Sequence, residues 1–379
     1  MQGYPDFMVY YTAGKMLRLG LGRQFYDLQA QFAVQVHSVG AVAGRRGLLP
    51  FIHPPFEALL FLPLTYLQYS DAFLLWDLLN LAALLGVAAS LRKSVKAIKP
   101  VSPWELVVLT LAFFPVFICL LQGQDSILLL LLISVGFAAL NRNADYSAGC
   151  WFAFAMFKFQ FVLPLLLLIG IWNRKKTLKS FLAVGALLTI VSAALVGWPT
   201  LMRYPKLALR VTNTPGLGGI PPGFPPNLRG LVFGEPFHLP QAIGTAAVLL
   251  ISLGVFLFAA FKGIGEAGPA RFQLRFSLAI IVSGLVAWQT NVHDLSLLVL
   301  PAALIWNYCK ADAATGQTIR RELLLPLAPL LISPLWMVLW LRWGNVNLMT
   351  IPLLWWVWVI GKALSPKAGS TIIQQPASV

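Results

Sequence analysis

Apolar runs long enough to cross a lipid bilayer recur along almost the entire chain. A transmembrane helix needs about 20 predominantly apolar residues. We place such runs near residues 71–91, 103–121, 126–140, 180–199, 241–261, 272–290, 294–309, 323–341 and 349–363. Only 11% of the residues are charged, against about 25% in soluble globular domains, so the chain cannot cover a water-facing surface. The sequence therefore predicts an all-α integral membrane protein, with residues 1–379 forming a single multi-helix transmembrane bundle.

Two further apolar segments do not read as simple membrane spans. Residues 147–172 carry Lys158 in their middle, and a charge at mid-membrane is costly if it faces lipid. We therefore expect a re-entrant helical hairpin that breaks near Lys158. Residues 54–68 are interrupted by Pro63, and we expect them to stay on the outer side as a short interfacial helix.

The basic residues predict the orientation of the bundle. They form short clusters between the apolar runs, as is typical of cytoplasmic loops, and this distribution argues against a nucleic-acid partner despite a formal net charge of +15. The clusters lie at 92–99, 173–179, 262–275 and 310–321. The outer face then receives a first loop of residues 1–70 with interfacial helices, a second long loop at 200–240, and connectors at 122–125, 291–294 and 342–347.

The outer loops carry an unexpected surplus of basic residues, among them Lys15, Arg18, Arg203 and Lys206. Long outer loops can escape the charge rule, so these side chains can be ordinary surface residues. Alternatively, they bind an anionic group such as lipid phosphate, because Arg and Lys pair strongly with phosphate oxygens. An outer position for Asp6 also requires a helix before it, so we expect one transmembrane helix to be missing from the N-terminal side.

A series of short motifs follows a recognisable order along the outer segments. "DFMVYYTAG" begins at Asp6 and is followed by "FY", "PPFEALLFLP", "LLWDLLN", "GQ", "KFQFVLP" and "PNLRG". In this order the motifs resemble glycosyltransferase family 87, the polyprenol-phosphate-sugar-dependent membrane mannosyltransferases of the GT-C superfamily. The resemblance extends from Asp6 to about His293. No motif is specific alone, and their order and shared side of the membrane carry the resemblance.

The resemblance implies a GT-C fold, in which a transmembrane bundle lies under a cavity on the outer face. It implies a hexose donor, mannose-like, linked to polyprenyl phosphate, and an inverting transfer to a hydroxyl of a lipid or glycan acceptor. Membrane lipid is the surrounding partner, and the site faces the extracytoplasmic side of the inner (plasma) membrane. In such enzymes a carboxylate in the first outer loop is the base, and the matching residue is Asp6.

The transfer itself needs few parts. One carboxylate takes the proton of the acceptor hydroxyl and contributes roughly 10²–10⁴-fold, while fixed donors or cations stabilise the leaving phosphate. Asp6 competes for the role of base with four other acids and with the alternative that it is a plain loop residue. The four are Asp27, Asp125, Glu235 and Asp294. Asp125 and Asp294 stand at helix starts, where a carboxylate often caps the helix, and Asp27 reads as a solvated loop residue.

Seven further side chains are candidates for substrate binding, and each has a structural alternative. They are His293, Lys158, Gln124, Arg229, Asn227, His53 and Tyr10. Lys158 and Arg229 are candidate phosphate contacts, and Asn227 is a candidate sugar contact. Alternatively, Lys158 extends to water along its helix, Gln124 belongs to a turn, and the histidines stabilise helix ends. No His, Cys or Asp cluster has the spacing of a metal site, so we expect neither a metal nor a cofactor; an ion shared between Asp6 and the phosphate is left open.

Two other functions stay open at this stage. A transporter or flippase of lipid-linked sugars would need internal repeats and charges deep in several spans, and only Lys158, Asp77 and Glu105 qualify. A non-catalytic scaffold has no reason to gather polar residues at one face. Clustering of five side chains around one outer cavity would favour the enzyme, and scatter would favour the scaffold. These five are Asp6, Gln124, Lys158, Arg229 and His293.

Overall fold

The computed structural model describes residues 6–39, 47–214, 221–234, 239–265, 268–311, 317–332, 334–335, 338 and 348–365. Within these ranges the regular secondary structure is helical and contains no strand. The α-helices are Phe7–Arg18, Leu28–Val39, Pro55–Phe61, Tyr69–Ser94, Pro103–Leu111, Phe114–Gln122, Ser126–Asn141, Asp145–Phe154, Phe159–Ile171, Lys175–Val196, Trp198–Leu201, Tyr204–Asn213, Leu228–Phe233, Gln241–Lys262, Pro269–Val286, Val299–Ala311, Gln317–Leu324, Leu327–Leu331 and Thr350–Leu364. Short 3₁₀ turns occupy Gly22–Gln24, Pro63–Tyr66, Lys96–Ile98, Ala155–Lys158 and Val292–Leu298.

Six segments of the described chain are long and apolar enough to cross a membrane. They are Tyr69–Ser94, Asp145–Ile171, Lys175–Val196, Gln241–Lys262, Pro269–Val286 and Val292–Lys310. The chain is therefore an all-α membrane protein, as the apolar runs predict. The helices Pro103–Leu111 and Phe114–Gln122 would form a seventh span, but they meet at an angle of 82°. Pro115 stands in the first turn of the second helix, where proline is well placed to start a helix and cannot continue the preceding one.

The spans differ in how much of their surface the protein covers. In Pro269–Val286 and Val292–Lys310, 72% of the apolar window is buried, against 17% in Lys175–Val196 and in Gln241–Lys262. The first pair is therefore the centre of the bundle, and the second pair presents its apolar side chains outward, where a bilayer would cover them.

The N-terminal helices form a second, aromatic core against the bundle. Phe7, Tyr10 and Phe61 are buried in it together with Trp76 of the first span. Gly14 allows the helices Phe7–Arg18 and Pro55–Phe61 to come into close contact, because a Cβ at this glycine would lie 2.8 Å from the backbone carbon of Phe61. The predicted short helix within residues 54–68 is present and ends at Phe61, before Pro63. Its side of the membrane stays a prediction.

The structure corrects the expectation of a re-entrant hairpin around Lys158. The helices Asp145–Phe154 and Phe159–Ile171 continue each other through the turn Ala155–Lys158, and together they form one 27-residue segment. The backbone does tighten into a 3₁₀ turn at Lys158, but it does not reverse. The physical reason is that the lysine finds counter-ions inside the protein, so the chain need not return to water.

The predicted span 323–341 is only partly described. Its beginning forms the end of helix Gln317–Leu324 and the helix Leu327–Leu331, separated by Pro326. The connector 342–347, Glu235 and part of the loop 200–240 lie outside the described residues.

Candidate active site

The turn between two apolar helices is the centre of the candidate site. Helix Phe114–Gln122 ends at Gly123, whose φ of +62° lies in the left-handed region that favours glycine. A Cβ at this position would lie 2.6 Å from the ring of Phe73 and 2.7 Å from Cβ of Phe7, so a side chain has no room. The next three residues, 124–126, each direct a polar group into the protein.

Gln124 connects the turn to the N-terminal helix. Its Nε2 donates to Oδ2 of Asp6 at 2.7 Å, and its Oε1 accepts a hydrogen bond from the Tyr10 hydroxyl, also at 2.7 Å. Gln124 and Tyr10 are buried, whereas Asp6 is half-buried. Both ends of the amide are therefore used to hold one carboxylate in a fixed orientation at the edge of the protein interior.

Lys158 joins three distant segments of the chain. Its Nζ lies 2.7 Å from Oδ1 of Asp125 and 2.5 Å from Oδ1 of Asp294, and it donates to Oγ of Ser126 at 2.6 Å. Asp125 is fully buried, and Lys158 and Asp294 are 3% and 4% exposed. Removing one partner of such a buried ion pair costs about 3–5 kcal/mol, because the other charge is left without compensation.

Glu57 adds another carboxylate to this region, from the first turn of helix Pro55–Phe61. His53 Nδ1 lies 2.8 Å from Oε2 of Glu57 and 3.6 Å from Oδ2 of Asp125. Burial raises the pKa of Glu57 to about 7, and the neighbouring Asp125 charge adds to the rise, while His53 opposes it. Burial would also raise the pKa of Asp125, but the positive charges of Lys158 and His53 lower it overall.

The two histidines of this region contact different carboxylates. Burial would lower the pKa of His53, but the charge and hydrogen bond of Glu57 and the charge of Asp125 raise it overall. His293 is buried, with Nε2 3.7 Å from Oδ1 of Asp294 and Nδ1 3.0 Å from the side-chain oxygen of Gln122.

We call this connected set the polar cluster. It consists of Asp6, Tyr10, His53, Glu57, Gln124, Asp125, Ser126, Lys158, His293 and Asp294. The group around Asp6 and the group around Lys158 are in contact through Tyr10, whose ring packs edge-to-face on His53 with centroids 5.6 Å apart. The cluster contains four carboxylates and one lysine, so its acids outnumber its permanent positive charges.

The structure brings six of the eight predicted site residues into the polar cluster. They are Asp6, Tyr10, His53, Gln124, Lys158 and His293. Of the five residues expected to share one cavity, four lie in the cluster, and Arg229 does not. Arg229 stacks its guanidinium on the ring of Trp288, 4.8 Å from the centroid, and donates to the Trp288 carbonyl at 3.4 Å. Burial lowers the pKa of Arg229.

Asn227 also lies apart from the polar cluster. Its Oδ1 accepts from the backbone N–H of Gly230 at 3.1 Å, which caps the helix Leu228–Phe233. Its Nδ2 donates to the Ala287 carbonyl at 2.6 Å and to the Thr290 hydroxyl at 3.2 Å. Both amide hydrogens are therefore used within the protein, where they join the loop before this helix to the loop after Pro269–Val286.

Sequence reasoning missed four members of the cluster. Asp294 was assigned to a helix cap, and its Oδ2 does accept from the Asn291 N–H at 2.8 Å, but its Oδ1 pairs with Lys158. Asp125 makes no cap bond. Glu57 and Ser126 had no assigned role. A lysine in the middle of an apolar segment was the available signal, because a buried ammonium requires acidic partners.

One subset of the cluster has the composition of a metal site. His53, Glu57 and Asp125 offer ligand atoms that lie within 4.8 Å of one another, and the described part of the chain contains no second group of three such residues. Asp27, by contrast, is exposed, and its Oδ1 accepts from the N–H groups of Gln29 and Ala30, as expected of a helix-capping residue.

Comparison with known families gives one match. A family model described as glycosyltransferase family 87 matches residues 51–288, which is more than half of the chain. Comparisons with curated proteins and with solved structures gave no match. The matched region includes His53, Glu57, Asp125 and Lys158, whereas Asp6 precedes it.

Proposed function

The chain belongs to glycosyltransferase family 87, and from this premise we propose that it transfers a hexose, mannose-like, from polyprenyl phosphate to an acceptor hydroxyl. The acceptor is a lipid or a glycan, and the transfer inverts the anomeric centre. The reaction takes place on the extracytoplasmic side of the inner (plasma) membrane. Membership of a glycosyltransferase family favours this function over a flippase or a scaffold.

The orientation of Asp6 is the observation that carries the proposal. Oδ2 accepts from the Gln124 amide at 2.7 Å, and among the described residues the structure shows no hydrogen bond to Oδ1. A half-buried carboxylate with one oxygen fixed and the other available is suited to accept a proton from a bound hydroxyl. Because Gln124 is neutral, it orients the carboxylate without holding it in an ion pair.

In the proposed step the acceptor oxygen attacks the anomeric carbon on the face opposite the phosphate. Its proton moves to Oδ1 of Asp6 as the new C–O bond forms. The bond from the anomeric carbon to the phosphate oxygen breaks, and the polyprenyl phosphate leaves with the electron pair. A phosphate monoester is already a good leaving group, so the step needs no second carboxylic acid on the leaving side.

The remaining predicted residues take supporting roles in this proposal. Lys158 is paired with Asp125 and Asp294, so we assign it to positioning the turn that carries Gln124 rather than to direct phosphate contact. His293 lies beside Asp294 at the end of a span, where its Nδ1 also contacts the side-chain oxygen of Gln122, just before the turn at Gly123. We therefore assign the contact with the donor phosphate to His293.

The test is transfer from a radiolabelled polyprenyl-phosphate mannose in membranes that contain the protein. Asp6→Asn should reduce transfer by roughly 10²–10⁴-fold, the range of general-base catalysis. Asp27→Asn is the matched control, because it makes the same substitution at an exposed helix cap, and it should retain wild-type transfer. Equal rates for Asp6→Asn and the wild type would remove Asp6 as the base. No transfer from any polyprenyl-phosphate sugar would overturn the proposed donor.

A further inference from the structure

We propose that His53, Glu57 and Asp125 bind a divalent metal ion next to Gln124, the residue that holds Asp6. The binding site stands on the geometry of these three side chains alone. Its role, which is to hold an oxygen of the donor phosphate, rests on the proposed function.

The three side chains come from two separate parts of the chain. His53 precedes helix Pro55–Phe61, Glu57 lies in the first turn of that helix, and Asp125 belongs to the turn at 123–126. His53 Nδ1 faces both carboxylates, at 2.8 Å from Glu57 Oε2 and 3.6 Å from Asp125 Oδ2. A metal ion with bonds of about 2.1 Å keeps its ligand atoms about 3–4 Å apart, so these contacts need only small adjustments.

The two oxygens of Asp125 have different surroundings. Oδ1 lies 2.7 Å from Lys158 Nζ, and Oδ2 is directed towards His53. The lysine therefore neutralises one side of the carboxylate and leaves the other side for a second cation. Lys158 also forms an ion pair with Asp294 at 2.5 Å, so its single charge cannot neutralise the charge of Glu57 as well.

Glu57 is the group that most requires a cation. Its side chain is 2% exposed, and its Oε1 is buried with no hydrogen-bond partner among the described residues. A buried carboxylate oxygen without a donor is costly, and Asp125, the acidic neighbour of Glu57, increases that cost. A shared proton would join two of the three facing atoms, whereas a metal ion would bind all three.

The ligand set indicates the class of ion. One imidazole nitrogen and two carboxylate oxygens, with no thiolate, suit Mn²⁺ and similar first-row divalent ions. The side chain of His53 is 19% exposed, so the site is accessible on one side. An oxygen of the donor phosphate can complete the coordination there, which would give an anionic substrate an attractive partner in a region rich in acids.

The first test measures Mn²⁺ binding in the absence of any sugar donor. The full chain in lipid nanodiscs is stripped with EDTA and titrated with Mn²⁺, and free Mn²⁺ is followed by electron paramagnetic resonance. We expect one saturable ion for each chain. Glu57→Gln should raise the Kd at least tenfold. The control Asp77→Asn removes a half-buried carboxylate of the Tyr69–Ser94 helix and should leave the Kd unchanged.

A second variant distinguishes the loss of a metal ligand from misfolding of Glu57→Gln. His53→Gln removes the more exposed ligand and should also raise the Kd at least tenfold. Absence of saturable binding in the wild type, or an unchanged Kd in both variants, would overturn the inference. Glu57 would then share a proton with Asp125, and Glu57→Gln, which resembles the protonated acid, would keep the wild-type melting temperature.

The two proposals can fail separately. Mn²⁺ binding that depends on Glu57, without transfer from any polyprenyl-phosphate sugar, would support the metal site and overturn the proposed function. Transfer that persists in EDTA, with no Mn²⁺ bound, would support the proposed function and overturn the metal site.

Discussion

Asp125 belongs to the turn at 123–126 and Asp6 is hydrogen-bonded to Gln124 of the same turn, yet the surroundings of the two carboxylates differ. Asp6 is half-buried and accepts a hydrogen bond from a neutral amide. Asp125 is fully buried and ion-paired with Lys158. A carboxylate that must take up a proton needs an accessible oxygen, whereas one that holds segments together needs a charged partner. The difference agrees with the roles proposed above, in which Asp6 takes up the proton and Asp125 binds cations.

The largest effect should come from removing the positive charge at the centre of the cluster. Lys158→Met leaves Asp125 and Asp294 buried without a counter-ion, so we expect a loss of about 3–5 kcal/mol in the free energy of unfolding. Thermal melting in nanodiscs would measure it. The double variant with Asp125→Asn should recover part of the loss, because one uncompensated charge is removed.

Lys262→Met is the matched control for this variant. Lys262 lies at the end of a lipid-facing helix and donates to the Ser365 hydroxyl at 2.7 Å, so its removal should cost less than about 1 kcal/mol. Equal melting temperatures for the two lysine variants would show that the ion pairs of Lys158 do not stabilise the fold.

The second prediction concerns the pH dependence of stability in the metal-free protein. Burial raises the pKa of Glu57 to about 7, so the folded protein binds this proton more tightly than the unfolded chain does. Protonated Glu57 therefore adds to the free energy of unfolding at low pH, and this contribution is lost as the pH rises towards and through 7. The raised pKa of His53 acts in the same direction. The melting temperature in EDTA should fall between pH 5 and 8.

Glu57→Gln should flatten this pH profile, because glutamine does not titrate. The lowered pKa of Asp125 does not interfere in this window, since its contribution is lost only as the pH falls below the ordinary range of aspartate. A melting temperature that rises from pH 5 to 8 in the metal-free protein would contradict the burial-driven shift at Glu57.

The third prediction tests the other half of the comparison, the orientation of Asp6. Gln124→Leu removes the hydrogen bonds to Asp6 and Tyr10, and we expect transfer to fall about tenfold, equivalent to about 1.4 kcal/mol. Gln124→Glu places a like charge against Asp6 and should move the acidic limb of the pH–rate profile to higher pH. A drop in rate with no change of profile would assign Gln124 a structural role.

The smallest effect should come from Asn227, outside the polar cluster. Asn227→Ala removes a helix cap and the hydrogen bonds to Ala287 and Thr290, which costs about 1–3 kcal/mol of stability. The effect on catalysis should be the smallest, with the transfer rate of the folded enzyme within about twofold of the wild type. Steady-state kinetics beside a melting curve would measure both. A large loss of transfer at an unchanged melting temperature would instead indicate that Asn227 contacts the sugar.

The membrane spans were predictable because long apolar runs are a local property of the chain. The partners of Lys158 were not, since Asp125 and Asp294 are distant in sequence and each also stands at a helix start, where a simpler role was available. The prediction of a hairpin at residues 147–172 was wrong for the same reason. The counter-ions that allow Lys158 to stay buried in a continuous segment are far from it in the sequence. Arg229 resembled a phosphate clamp, but Trp288, which covers it, comes from a remote loop.

The left-handed turn at Gly123 has a mechanical consequence. The three residues after it have different partners. Gln124 donates to Asp6, Asp125 faces Lys158 and His53, and Ser126 donates to Asp294. Those residues follow directly from the helix pair that is bent by 82°. A shift or rotation of that pair would displace all three side chains together. Asp6, the proposed base, and Lys158 would then both respond to a lipid that binds beside the pair.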